Sequence, residues 1–232
     1  MALPLYLAMT PGEIAGNFSS ADHMACLSCH FSPWGRGLSG IPDSLPPECL
    51  LILDDRTPMD GHDPEHIRET LSDSLQKLRC SGLLLDFQRP GNPEQQALAR
   101  LLTASLPCPV GVSEFYAREL NCPLFLPPVP ADRPVKDYLS PWQGREIWLE
   151  AALDGITLNL TQAGCTETPL TGFPEDGLQD KRLHCHYSIE TDENAAIFRL
   201  WRTAEDLQAL LADAPGVTRA IGLWQELGNY KL

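Results

Sequence analysis

Short apolar runs recur along the chain, and several are separated by stretches whose apolar residues have helical spacing. Apolar runs of roughly four to eight residues bounded by turn residues are typical of buried β-strands. Eight runs fit this description: Leu3–Ala8, Met24–Phe31, Cys49–Leu53, Gly82–Phe87, Pro109–Val112, Pro123–Leu126, Glu146–Leu149 and Ala220–Trp224.

Three helices have clear start signals. Asp63, Asn92 and Thr203 are good capping residues, and each precedes leucines spaced three or four apart. Strands that alternate with helices indicate crossover connections and a parallel sheet. We therefore predict an α/β fold, a closed (β/α)8 TIM barrel, with an open doubly wound sheet as the alternative. The chain of 232 residues is short for a barrel of about 250 residues, so several connections must be loops.

Residues 154–201 break this alternation. Asp154–Leu160, Leu183–Glu190 and Ala195–Trp201 are apolar enough to form extended segments, and residues 191–194 suit a turn. We predict a small antiparallel, β-rich insertion between strands seven and eight. No low-complexity linker interrupts the chain, so residues 1–232 are predicted to form a single domain that contains this insertion.

The net charge and the hydropathy of the chain disfavour several classes of binding partner. The net charge is −14, which disfavours nucleic acid and anionic membranes, because both attract cationic surfaces. No apolar stretch reaches the roughly 20 residues of a membrane span, and the N-terminus lacks the basic flank of a signal peptide. We predict a cytoplasmic protein, or an extracellular one if a leader has been removed. The oligomeric state is left open.

The cysteine and histidine motifs predict no cofactor and no metal. Cys26-Leu-Ser-Cys29-His30 matches a haem-attachment pattern, but it lies on a predicted buried strand, so core packing is favoured. Pro64 places His62 before a predicted helix, so His62 and His66 are not expected to share a face, and His184 and His186 alone supply too few ligands for zinc. Four further cysteines lie at or just before the start of predicted strands and are expected to be reduced, buried thiols: Cys49, Cys80, Cys108 and Cys122.

Residues 81–90, Ser-Gly-Leu-Leu-Leu-Asp-Phe-Gln-Arg-Pro, form a buried strand that runs into polar residues. The segment resembles the fourth-strand signature of the family-18 glycoside hydrolases, the chitinase-like barrels, written D-G-x-D-x-D-x-E. Four residues match the signature or what commonly follows it: Gly82, Asp86, Phe87 and Pro90. Leu84 replaces the middle aspartate, and Gln88 replaces the acid/base glutamate. The resemblance therefore implies the fold while arguing against the chemistry.

Two other features add to the resemblance. Residues 220–228 are similar to the eighth strand of that family, which commonly ends in a Trp that floors the sugar site, here Trp224. The insertion at 154–201 also falls where many chitinase-like barrels carry one.

Polar residues follow most predicted strands, at the end of a barrel where sites form. Carboxylates, amides and an indole suit a sugar, which is held by hydrogen bonds and by stacking on an aromatic ring. The predicted ligand-binding residues are Asp54, Asp55, Asp86, Gln88, Glu150 and Trp224. The candidate catalytic residues are Asp86 and Glu114.

Three functions follow from these residues. The first is recognition of a carbohydrate, such as one containing N-acetylhexosamine, by a catalytically degenerate barrel, because an amide at position 88 cannot donate the proton that hydrolysis needs. The second is an active glycoside hydrolase that uses Glu114, Glu150 or the Asp54/Asp55 pair. The third is a protein-interaction barrel, which an exposed apolar patch away from the strand ends would favour.

Overall fold

The structure is a computed structural model that describes residues 3–17, 22–35 and 37–229. In chain order its strands are β1 (Leu5–Met9), β2 (Met24–Phe31), β3 (Leu38–Ser39), β4 (Leu50–Asp54), β5 (Gly82–Asp86), β6 (Val110–Ser113), β7 (Leu124–Leu126), β8 (Ile147–Glu150), β9 (Gly155–Thr161), β10 (Gly164–Pro169), β11 (Leu178–Asp180), β12 (Cys185–Thr191), β13 (Ala195–Trp201) and β14 (Val217–Leu223). The helices are α1 (Pro11–Asn17), α2 (Pro64–Leu78), α3 (Pro93–Ser105), α4 (Glu114–Ala117), α5 (Val135–Leu139), α6 (Ala204–Ala212) and α7 (Trp224–Leu227).

Eight of these strands form a closed parallel barrel. The order around it is β1, β14, β8, β7, β6, β5, β4 and β2, and pairing of β1 with β2 closes the ring. Each of the eight predicted strands overlaps one of these eight. Closure of the sheet confirms the TIM barrel and removes the doubly wound alternative.

Side chains that alternate along the strands separate an interior from an outer layer. The interior is filled by apolar residues: Tyr6, Ala8, Ala25, Leu27, Leu50, Ile52, Leu84, Phe125, Trp148 and Ile221. Trp148 is fully buried there. Gly111 on β6 makes room for it, since a Cβ at Gly111 would lie 2.2 Å from the indole. The outer layer packs leucines such as Leu51 and Leu53 against α2 and α3.

The capping residues expected from the sequence begin their helices. The side chain of Asp63 accepts a hydrogen bond from the backbone N–H of Glu65, and Asn92 caps α3 in the same way. Thr203 and Asp206 form a reciprocal capping box at the start of α6. Between β6 and β7 the connection contains only the four-residue helix α4, which explains how a short chain completes the barrel.

A second sheet of five antiparallel strands lies between β8 and β14, in the order β10-β9-β13-β12-β11. Its three longest strands match the sequence prediction, whereas β10 and β11 have no counterpart in it. All six residues of β10 are exposed, so this strand has no apolar periodicity to reveal it. Arg202, which is buried at the end of this sheet, ties it to the barrel: it pairs with Asp154 at 2.8 Å and donates to the carbonyl of Pro130.

The cysteine and histidine motifs lie in different parts of the structure. Cys26 and Cys29 are fully buried in β2, and all eight cysteines have free thiols. Burial raises the pKa of the Cys80 thiol to about 12. The Nδ1 of His62 lies 2.7 Å from the carbonyl oxygen of Met59, in the connection before α2. None of the helices in the described part of the chain is long and apolar enough to cross a membrane.

Candidate functional site

The eight parallel barrel strands all point the same way, so their last residues surround one opening. We call this end the barrel mouth, and the strands end there at Met9, Phe31, Asp54, Asp86, Ser113, Leu126, Glu150 and Leu223. Alternation from interior residues places Asp54, Asp86 and Glu150 on the inward side, since Ile52, Leu84 and Trp148 precede them by two positions. The mouth therefore combines three carboxyl groups from three strands.

Asp54 forms an ion pair with Arg56, two residues further along the chain. Its two carboxylate oxygens accept hydrogen bonds from Arg56, with Nε at 2.8 and 2.9 Å. Only 11% of the Asp54 side chain is exposed, against 53% of Arg56. This two-pronged ion pair leaves Asp54 with little capacity for a ligand, and it presents the guanidinium at the rim instead.

Asp55 faces the opposite way and organises the backbone behind the mouth. Its carboxylate accepts hydrogen bonds from the backbone N–H groups of Gln88 and Arg89, each at 3.1 Å, and from the amide of Gln95 on α3 at 3.3 Å. Gln95 in turn accepts from the hydroxyl of Tyr116 at 2.6 Å. Asp55 is 4% exposed, so it supports the loop after β5 and is not open to a ligand.

Asp86 is held by Gln88, one of the residues at which this segment departs from the family-18 signature. The Gln88 side-chain amide donates a hydrogen bond to the Asp86 carboxylate. Burial raises the pKa of Asp86, the Gln88 hydrogen bond opposes that rise, and the charges on Asp54 and Asp55 add to it. Asp86 and Gln88 thus form one polar unit at the floor of the mouth.

Glu150 has the most perturbed carboxyl group at the mouth. Burial, and then the charges on Asp86 and Glu226, raise its pKa to about 7. Glu226 follows β14, and its carboxylate accepts a hydrogen bond from the backbone N–H of Leu153. A carboxyl group whose pKa lies near neutral pH is suited both to give and to take a proton.

A second group, Tyr138 on α5, lies close to the acids and is absent from the residues predicted from the sequence. Burial, and then the charges on Glu114 and Glu150, raise the pKa of Tyr138 to about 12. Its hydroxyl donates to the carbonyl of Pro127 at 3.0 Å. Glu114 is the first residue of α4, and its charge and that of Glu150 both act on Tyr138. No sequence motif surrounds Tyr138. The one signal for a role at the mouth is its position in the connection after β7.

The structure does not bring Trp224 together with these groups. Trp224 is the first residue of α7, its ring packs partly against the outer layer, and it lies over Gly228 of the same helix. Alternation from Ile221 instead makes Leu223 the inward residue at the end of β14, and Leu223 is 45% exposed. The role of Trp224 as a sugar platform therefore stays a prediction that the geometry does not favour.

Comparisons with known proteins agree on the fold. No protein-family model matches the chain, and no curated protein matches its sequence. Among solved structures, the family-18 chitinase of Cycas revoluta, a doubly substituted variant in complex with (GlcNAc)4, matches with a TM-score of 0.55 and 12% identity over 95% of this chain and 94% of its own. This chain shares the (β/α)8 barrel fold of that chitinase.

Two spore cortex-lytic enzymes share that fold. SleL of Bacillus cereus matches with a TM-score of 0.56 and 10% identity, over 95% of this chain and 70% of its own. SleL of Bacillus megaterium matches with a TM-score of 0.56 and 13% identity, over 98% and 71%. At such identities the comparison shows the fold alone. β5 is the fourth barrel strand in chain order, and it lies within the segment that resembles the fourth-strand signature.

Proposed function

We propose that this protein binds a glycan at the barrel mouth, one that contains N-acetylhexosamine, and that it does not hydrolyse it by the substrate-assisted route. The hydrogen bond from the Gln88 amide to Asp86 carries this proposal. In that route the acetamido group of the substrate attacks, and a protein acid protonates the leaving oxygen. An amide has no proton to give near neutral pH, so a contribution of roughly 10²–10⁴-fold to the rate is lost.

Binding a sugar requires hydrogen-bonding groups but no proton donor, and several side chains at the barrel mouth provide such groups. Asp86 accepts hydrogen bonds, Gln88 both donates and accepts, and Tyr138 adds a hydroxyl at the same opening. The Cycas revoluta chitinase captured with (GlcNAc)4 also has a glutamate-to-glutamine change among its two substitutions. A barrel of this fold with such a change therefore still holds an oligosaccharide.

Calorimetric titration with N-acetylglucosamine oligomers tests the proposal. Wild-type protein should give saturable heat and no new reducing ends after prolonged incubation. Asp86→Ala should lose binding because it removes both the carboxylate and the partner of Gln88. Asp73→Ala, on the exposed side of α2, is the matched control and should bind normally. A flat titration with wild type would overturn the proposal.

Glu150 supports a second candidate, an active glycoside hydrolase. A carboxyl group with a pKa of about 7 is partly protonated near neutral pH and can act as a general acid. The charges on Asp86 and Glu226 act on Glu150, and the charge on Glu114 acts on Tyr138. This candidate requires two carboxyl groups about 5–9.5 Å apart, one on each side of the glycosidic bond that is cleaved.

Release of reducing ends separates the two candidates. An active enzyme should produce them with a rate that falls as pH rises through about 7, where Glu150 loses its proton. Glu150→Gln should abolish that release but retain binding, whereas the exposed control Asp73→Ala should leave the release intact. Saturable binding with no release from any oligomer or aryl glycoside would remove the hydrolase.

A protein-interaction role has one observation in its favour. Leu160, Leu178 and Ile189 of the inserted sheet are 41%, 65% and 50% exposed, away from the barrel strands. Register places Ile189 opposite Phe198 and Leu178 opposite Tyr187, so these side chains share one face. Reversal of association by Leu178→Glu in sedimentation velocity would support this role, and a monomer that the substitution leaves unchanged would count against self-association through this face.

A further inference from the structure

One face of the inserted sheet is largely apolar. Side chains that lie opposite each other on paired strands point to the same side, so the register assigns each residue to a face. Phe198 of β13, for example, lies opposite both Leu158 of β9 and Ile189 of β12. We call this side the apolar face, and its larger side chains outside the buried end are Leu158, Leu160, Leu178, Tyr187, Ile189 and Phe198.

The protein covers only one end of the apolar face. Leu200, at the end next to the barrel, is 7% exposed and packs with Ala131 of the connection after β7. Towards the other end of the sheet, Leu160 and Ile189 are 41% and 50% exposed. Leu178, on the edge strand β11, is 65% exposed. The described part of the chain therefore leaves the outer part of this face open to solvent.

The shape and chemistry of the open part fit a helix. A sheet buries an apolar face against a second layer, and in mixed folds that layer is formed by helices. Neighbouring strands lie about 5 Å apart, so β9, β13 and β12 together present a strip about 10 Å wide, which is the diameter of one helix. The most exposed side chains, Leu160, Leu178 and Ile189, are aliphatic. They lack the flat ring on which a sugar stacks, which favours a protein partner.

The charges around the apolar face favour a cationic partner. None of its strand residues is a lysine or an arginine, and Glu167 of the exposed strand β10 lies on it. At its outer end, Asp192 and Glu193 help to line a recess of about 610 Å³. Within the described residues none of these three carboxylates forms an ion pair, whereas Arg199 on the opposite face is paired with Glu190 at 2.6 Å.

We propose that the apolar face is a docking site for a basic amphipathic helix of another protein. The apolar stripe of that helix packs on Ile189 and Phe198, and its lysine and arginine side chains pair with Glu167 and Glu193. A second copy of this chain is a poorer partner, because it would bring together two molecules with a net charge of −14 each. The site lies outside the barrel, so this inference does not depend on glycan binding at the mouth.

A synthetic peptide tests the site without knowledge of the natural partner. The probe is a labelled peptide of leucine and lysine, about 18 residues or five helical turns long, with its leucines on one side. One control peptide has the same composition in an order that is not amphipathic, and another has glutamate in place of lysine. Fluorescence anisotropy should show that wild type binds the probe at least about tenfold more tightly than either control peptide.

Substitutions on the two faces locate the binding. Ile189→Ser should weaken binding of the probe at least about tenfold. Glu167→Lys should weaken it in about 20 mM salt and much less in about 300 mM salt, because salt screens exposed charges. Glu175→Lys makes the same change in net charge and should leave the affinity unchanged, since its segment packs on the opposite face through Gly177 and Trp201. Urea unfolding verifies that each variant is folded.

Several results would overturn the proposal. Equal binding of the amphipathic and reordered peptides, or an equal loss from Glu167→Lys and Glu175→Lys, would show only a general attraction of an acidic protein for cations. A dimer in sedimentation velocity that Ile189→Ser dissociates would place a second copy on the apolar face instead. Each of these results leaves the proposed glycan site untouched, because Asp86 and Gln88 lie at the barrel mouth. A failed titration with N-acetylglucosamine oligomers would likewise leave the helix site standing.

Discussion

Replacement of Glu150 by glutamine should make the protein more stable at alkaline pH and leave it nearly unchanged at acid pH. Burial and the nearby charges on Asp86 and Glu226 raise the pKa of Glu150 from 4.5 to about 7. A carboxyl whose pKa is higher in the folded state binds its proton more tightly there. The free energy of unfolding therefore falls as pH rises from about 4.5 to about 7.

The magnitude follows from how far the pKa of Glu150 rises. A tenfold change in proton affinity corresponds to about 1.4 kcal/mol, so full ionisation of Glu150 costs the folded state about 3 kcal/mol at most. Glutamine has nearly the same shape and no charge to bury. Glu150→Gln should therefore recover up to that amount above about pH 8, and almost none of it below about pH 5.

Urea unfolding followed by tryptophan fluorescence, repeated across this pH range, measures the difference. Glu175→Gln, at an exposed position of the inserted segment, is the matched control and should show no such pH-dependent gain. An equal change in the free energy of unfolding at both ends of the pH range would refute the argument. It would show that ionisation of the Glu150 carboxyl does not destabilise the folded state.

Three further substitutions test the scaffold by urea unfolding. Asp55→Ala should cost about 3 kcal/mol or more, because it leaves two backbone N–H groups of the loop after β5 without their acceptor; a loss below about 1 kcal/mol would argue against that network. Gly111→Ala should cost about 1–3 kcal/mol through its clash with Trp148, and Gly12→Ala, which meets open space, should be neutral. Arg202→Ala should cost about 3–5 kcal/mol, since it leaves its carboxylate partner unpaired, and an unchanged midpoint would contradict this.

The barrel itself is largely predictable because its strands are apolar on both faces and its longer helices have caps. Leu50–Asp54 shows both the strength and the limit of this signal. All five residues are buried, so the run is recognisable as a strand, but no polar alternation reveals which side faces inward. The sequence consequently does not distinguish Asp54 from Asp55, although one pairs with Arg56 at the mouth and the other holds the loop behind it.

The pKa shifts at the site cannot be predicted from the sequence alone. Glu150 is identifiable as a strand-end residue, but its raised pKa arises from burial and then from the charges on Asp86 of β5 and Glu226 after β14, which are far apart in the chain. The contribution of Tyr138 likewise depends on a five-residue helix with little periodicity. The prediction for Trp224 depends on its resemblance to a family motif, and the start of α7 at that residue turns its ring towards the outer layer.

The clamp that Asp55 places on the backbone after β5 has an evolutionary consequence. The loop keeps its path through main-chain N–H groups, so its geometry does not depend on which side chain stands at position 88. Glutamine and glutamate codons differ by a single base, and a carboxyl at this position would meet Asp86 at hydrogen-bonding distance and share one proton with it. Position 88 can thus exchange an amide for an acid without a change in the path of the loop or in the barrel.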